Sequence, residues 1–130
     1  MSATNEEMTL IRESVILPFL LPIIARNITE LENGKGKDAL LNRLYLAATQ
    51  ALHDDIEADI RAIKKTLKEQ DIRVWEDDKR SREVNARYYR FVVRGYEENF
   101  GIMREIARAE ISTRLKLYVR KIEKAFSQRR

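Results

Sequence analysis

The single histidine, His53, sits in the string HDDIEAD, where helical spacing would set it four residues from Glu57 and set Asp55 four from Asp59. Either pair offers two donors to a divalent cation, whereas a metal site needs three or four that converge. His53 is therefore expected to be an ordinary helix residue beside Leu52, with no metal or cofactor. Glu97 and Glu98 are adjacent, while a carboxylate hydrolase sets two acids across a cleft; they read instead as favourable charge at a helix N-terminus. GKGK at 34–37 lacks the spacing and the Lys-Ser/Thr ending of a phosphate loop and reads as a turn. Ser14, Ser81, Ser112 and Ser127 have no glycine elbow, and a triad would have to recruit His53. The chain has no cysteine, which excludes disulfides, thiolate zinc sites and cysteine nucleophiles, and suits a reducing cytoplasm. The expectation is a protein that is not an enzyme. A hydrolase built on carboxylates is the least favoured alternative.

Charge offers more than nucleophiles do. Residues 1–70 carry a net −2 and residues 71–130 a net +6, the surplus being mostly arginine, whose planar fork matches carboxylates and phosphates. Tyr88, Arg90, Arg94 and Tyr96 interleave aromatic rings with guanidinium groups and are the expected contacts for an acidic protein partner. Arg104, Arg108, Lys116, Arg120 and Lys124 recur at multiples of four and would form a basic stripe spiralling round a final helix. Arg87, Arg90, Arg94, Arg104, Arg108, Arg120, Arg129 and Arg130 are the candidate set for the alternative partner, nucleic acid. The bland reading of the same residues is a solvated face with internal ion pairs, since arginine stems also cover apolar surface.

The elements that would position these groups are mostly helices. A chain of 130 residues fits one domain over 1–130, able to bury roughly two thirds of its unfolded surface. VILPFLLPIIA at 15–25 is the most apolar stretch, too short for the roughly twenty residues of a membrane span and lacking the basic leader of a secretory signal. It is expected to fill the core, with Pro18 or Pro22 opening a helix that stops near Asn33-Gly34, and with self-association as a second use of its apolar surface. After GKGK, Asp38 would cap a long helix over about 38–69, whose apolar row is Leu41, Leu44, Ala48, Leu52, Ile56, Ile60, Ile63 and Leu67. A second long helix, opening near Asn99 or Gly101, carries Met103, Ala107, Ile111, Leu115, Tyr118, Ile122 and Phe126 at the same spacing. Between them, alternation in DIRVWE and RYYRFVVR predicts a β-hairpin over roughly 71–95 with a long loop at 77–86. One continuous helix through that region is the competing reading. The expected fold class is thus α+β and helix-dominated, with an all-α bundle as the alternative.

The strings LLPIIARNITELENG, IRVWE and YYRFVVRGYEENF, in that order and with RGYEE as the distinctive one, resemble small proteins of unassigned function from Bacillus-type bacteria and their phages. The resemblance covers most of the chain and implies a cytoplasmic α+β protein without an activity to carry over. The functional expectation is a non-catalytic interaction or regulatory protein, a homodimer that contacts an acidic protein partner away from any membrane. The alternative is a nucleic-acid-binding regulator that uses the basic C-terminal half.

Overall fold

A computed structural model describes residues 2–34 and 39–127. Helix α1 (Asn5–Ile16) opens on a reciprocal cap: the Glu7 amide donates to Thr4 Oγ1 at 3.1 Å and the Thr4 amide donates to Glu7 Oε1 at 2.8 Å. A single 3₁₀ turn, Leu17–Phe19, contains Pro18, and α2 (Leu20–Glu32) follows with Pro22 in its first turn, the part of a helix that tolerates proline. Helix α2 stops at Asn33, as the sequence implied. The whole of Asn5–Glu32 makes one helical stretch of 28 residues, long and apolar enough by length and composition to cross a membrane, although the run at 15–25 alone is not. One third of its most apolar window is buried.

The buried positions of that stretch are Ile11, Val15, Ile16, Leu17, Leu20 and Ile24, so the apolar run is core. It packs against Leu52, Ile56 and Ile60 of α3 (Ala39–Glu69), Tyr89 and Ile102 of the sheet, and Ala107 and Tyr118 of the last helix. Asp38, the expected cap of α3, lies outside the described residues, as do positions 35–37 of the GKGK turn.

Helix α3 ends in a Schellman turn: Ile72 N–H reaches Leu67 C=O at 2.8 Å, and Asp71 N–H reaches Lys68 C=O at 3.1 Å. Asp71 holds the left-handed position with φ 54°, which glycine usually occupies. Ile72 and Leu67 then meet in a smaller core with Ile11, Phe91 and Val93. That turn sends the chain into β1 (Arg73–Glu76), a short α4 (Asp78–Glu83), β2 (Ala86–Val93), β3 (Tyr96–Met103) and α5 (Arg104–Ser127). The sheet is antiparallel in the order β1-β2-β3. The fold is α+β and dominated by helices, which sets aside the all-α alternative.

Three local expectations need correction. The hairpin expected over 71–95 is present as β1 and β2, but its loop holds α4 and a third strand extends it. Glu97, Glu98 and Asn99 lie in β3 rather than at a helix start, because Arg94 (φ 51°) and Gly95 (φ 78°) form a two-residue turn that folds 96–103 back on β2. The final helix accordingly begins at Arg104, and Met103 ends a strand. The Phe126 side chain lies outside the described residues.

Candidate interaction surfaces

On the solvent face of the sheet, the registers place Trp75, Arg90 and Asn99 in one row and Arg73, Val92 and Glu97 in the next. Tyr88 stands opposite Gly101, where an added Cβ would come within 2.9 Å of the tyrosine ring. The Arg80 guanidinium lies 4.8 Å from the centre of that ring. Arg90 Nε donates to Asp77 Oδ2 at 2.9 Å, and its Nη1 lies 3.5 Å from Glu97 Oε1. Asp77 also caps α4, accepting from the Arg80 amide at 3.1 Å; that bond and Arg90 hold its carboxyl below the usual carboxylate range.

Arg94 sits at the far end of the sheet, in the β2–β3 turn. Its guanidinium donates to both Glu7 oxygens, at 3.0 and 2.8 Å, and to the Ser2 carbonyl at 2.7 Å, tying the turn to the start of α1. The Arg94 hydrogen bond, followed by the Thr4 cap, lowers the Glu7 pKa. Of the four expected contacts, Tyr88 and Arg90 therefore share one face and Arg94 and Tyr96 flank the hairpin tip; both arginines are hydrogen-bonded, Tyr88 is engaged through its ring by Arg80, and Tyr96, 59% exposed, has neither kind of contact among the described residues.

The arginine set proposed for nucleic acid is divided by the fold. Arg87 pairs with Glu76 at 3.3 Å and lies 4.5 Å over the Phe19 ring, so it is spent with Arg90 and Arg94 on internal partners. Arg104, Arg108 and Arg120 have no ion pair among the described residues. On α5, however, Arg120 lies about 120° round the helix from Arg108. Arg129 and Arg130 lie outside the described residues.

Two side-chain clusters join helices. Arg114 pairs with Glu13, and Arg12 with Glu110 at 3.1 Å, linking α1 to α5. Tyr118 donates to Asp59 Oδ2 at 2.5 Å, and burial followed by that bond raises the tyrosine pKa above its ordinary value. Asp59 is thereby engaged across the bundle rather than with Asp55. His53 Nδ1 lies 2.9 Å from Glu57 Oε1, and Asp54 brings a third donor to within 4.8 Å of both. These three come from one helical turn, so solvent would have to complete the coordination of any cation there.

Sequence spacing misplaced the open end of α3. Leu41 and Leu44, counted in its core row, are exposed, as are Leu40 (77%), Tyr45 and Ile23 of α2. The overlooked signal is the absence of charge: residues 39–51, ALLNRLYLAATQA, contain one charged side chain, Arg43, in a chain that is 35% charged.

The family model described as YhjD protein matches residues 2–123, and the chain belongs to that family. No curated protein and no solved structure matches it.

Proposed function

We propose that this YhjD-family chain is a non-catalytic interaction protein of the cytoplasm, which self-associates through the open end of the α2–α3 pair and contacts an acidic protein partner. The observation that carries the reading is the cluster of Leu40, Leu41, Leu44 and Tyr45 at the start of α3, exposed and nearly free of charge. Scattered apolar side chains are normal on a protein surface, but Leu40, Leu41, Leu44 and Tyr45 lie together on one stretch of α3, residues 39–51, in which Arg43 is the one charged side chain, and an interface between copies needs a group of that kind. A symmetric dimer would set the two α2–α3 ends against each other and make a four-helix core from surface that is otherwise wet.

Light scattering on a sizing column tests it. A dimer mass that falls to the monomer in Leu41→Glu/Leu44→Glu, with helical circular dichroism retained, is the expected result. A monomer at every concentration in the unaltered chain would remove the reading.

The second reading, nucleic-acid binding, is favoured by one observation: Arg104, Arg108 and Arg120 have no counter-charge among the described residues. It requires a complex with a mixed DNA fragment that weakens steeply between low and physiological salt.

A further inference from the structure

A cavity of about 630 Å³ runs along β1 and is lined by Val15 and Phe19, by Lys64, Leu67 and Lys68 of α3, and by the consecutive residues 71–76. That volume falls within the range of peptide and ligand sites. Its position follows from the Schellman turn, which lays β1 beside the last turns of α3. Strand β1 is the edge of the sheet: it pairs with β2 on one side, and no other strand among the described residues pairs with its free side. The edge of a strand presents amide and carbonyl groups ready to accept another strand. Natural edges are blunted by shortness, charge, proline, a bulge or a covering helix; β1 is short and carries Arg73 and Glu76, but it has no proline, its register with β2 is unbroken, and it lines a cavity.

We propose that this groove binds an extended acidic segment of the partner protein, which adds as a fourth strand along β1. The inference rests on the acidic-partner reading above and states where and how that partner is held. Each part of the groove has a role in strand addition. The four residues of β1 span about 13 Å, enough to pair with about four residues of an incoming strand. Alternate side chains of that strand point to the floor, where Val15, Phe19, Leu67 and Val74 accept an apolar residue. Charge selects the ligand. Lys64, Lys68 and Arg73 line the groove without an ion pair among the described residues. Of the two carboxylates there, Glu76 is held by Arg87 and Ser81, leaving Asp71 alone against three cations. Lys64 and Lys68 are four apart on α3, so both project over the same side. An acidic strand gains those cations, whereas a basic one meets like charge.

A nucleic acid fits this place poorly. It needs a track of cations along its backbone, while the groove ends after four strand residues and its apolar floor has nothing for phosphate.

Trp75 lies on β1, lines the groove and is the only tryptophan, so its fluorescence reports occupancy directly. The probe is a short peptide of alternating glutamate and valine, compared with the same peptide carrying lysine for glutamate and with one N-methylated at alternate backbone amides. The acidic peptide is expected to shift Trp75 emission saturably and to protect the amides of 73–76 from hydrogen exchange. Binding should weaken about tenfold or more in Lys64→Glu/Lys68→Glu and with the N-methylated peptide, and stay unchanged in Arg120→Ala. Equal binding of the N-methylated peptide would overturn strand addition, and equal loss in Arg120→Ala would overturn this groove as the place. A Trp75 response to a mixed DNA fragment but not to the peptide would overturn the choice of ligand. An emission change that tracks protein concentration without peptide would assign the edge to a second copy and overturn it too. The acidic-partner reading is tested separately by light scattering with the peptide: binding without any Trp75 response defeats only the groove, whereas no binding at all defeats both.

Discussion

The sheet end of the molecule and the open end of the α2–α3 pair differ in how their surfaces are used. At the sheet end the side chains that look most suited to a partner are already engaged. Arg90 holds Asp77, Arg94 holds Glu7, Arg87 holds Glu76, and Tyr88 is layered between Arg80 and Gly101. At the α2–α3 end no residue looks like a recognition group, yet Leu40, Leu41, Leu44 and Tyr45 stand in solvent. The lesson is that residue type nominates a contact, while the number of internal partners decides whether it is available. Exposed ion pairs such as Arg94–Glu7 add little stability, but they fix the hairpin tip against α1 and neutralise the charge that a ligand would need.

The largest effect that would break the contrast is on assembly. Leu41→Glu/Leu44→Glu should raise the dimer dissociation constant by about a hundredfold or more, since a buried charge without a partner costs several kcal/mol, whereas Arg90→Ala should leave the mass of the particle unchanged. A mass that responds to Arg90→Ala instead would move the interface to the sheet.

Next in size is Gly101→Val, which should lower stability in urea by roughly 1–3 kcal/mol, because the new side chain displaces the Tyr88 ring and with it the Arg80 stack. If the variant melts like the unaltered chain, Tyr88 is not spent on structure and returns to the set of free contacts.

Tyr118→Phe should cost about 1 kcal/mol near neutral pH, leaving Asp59 without its donor. It also carries a pH signature. The folded chain keeps the Tyr118 proton beyond the ordinary tyrosine value of about 10, so the contribution is whole below that pH and is lost as pH rises through the raised folded pKa. The alkaline decline in stability should therefore be shallower in the phenylalanine variant, as read from urea midpoints across that range.

The smallest expected change is Arg94→Gly. Glycine relieves the left-handed backbone at that turn position, offsetting the lost contacts to Glu7 and Ser2, so the midpoint at neutral pH should barely move. The acid limb should change instead. Glu7 has a lowered folded pKa, so its contribution is present above the ordinary glutamate value and is lost as pH falls through the folded one. Removing Arg94 flattens that limb, and an unchanged acid profile would mean that the tether to α1 does not matter.

The sequence by itself determined the helical segments and the character of the core. Ile56, Ile60 and Leu67 at steps of three and four, the prolines at 18 and 22, and Asn33-Gly34 each act through local backbone preference or face periodicity, which a linear chain displays openly. The strand alternation at 73–76 and 86–93 was legible for the same reason. Strand β3 was not, because YEENFGIM has a weak alternation whose buried side is set by pairing with β2, and because an arginine in a two-residue turn is an unusual signal. Only the tertiary structure decided that Leu41 and Leu44 lie beyond the reach of the helices that cover Leu52 and Ile56, since periodicity gives the direction of a side chain and not the length of its partner. The same holds for Arg87, Arg90 and Arg94: their charge is written in the chain, but whether it is free depends on carboxylates that folding brings from Glu76, Asp77 and Glu7.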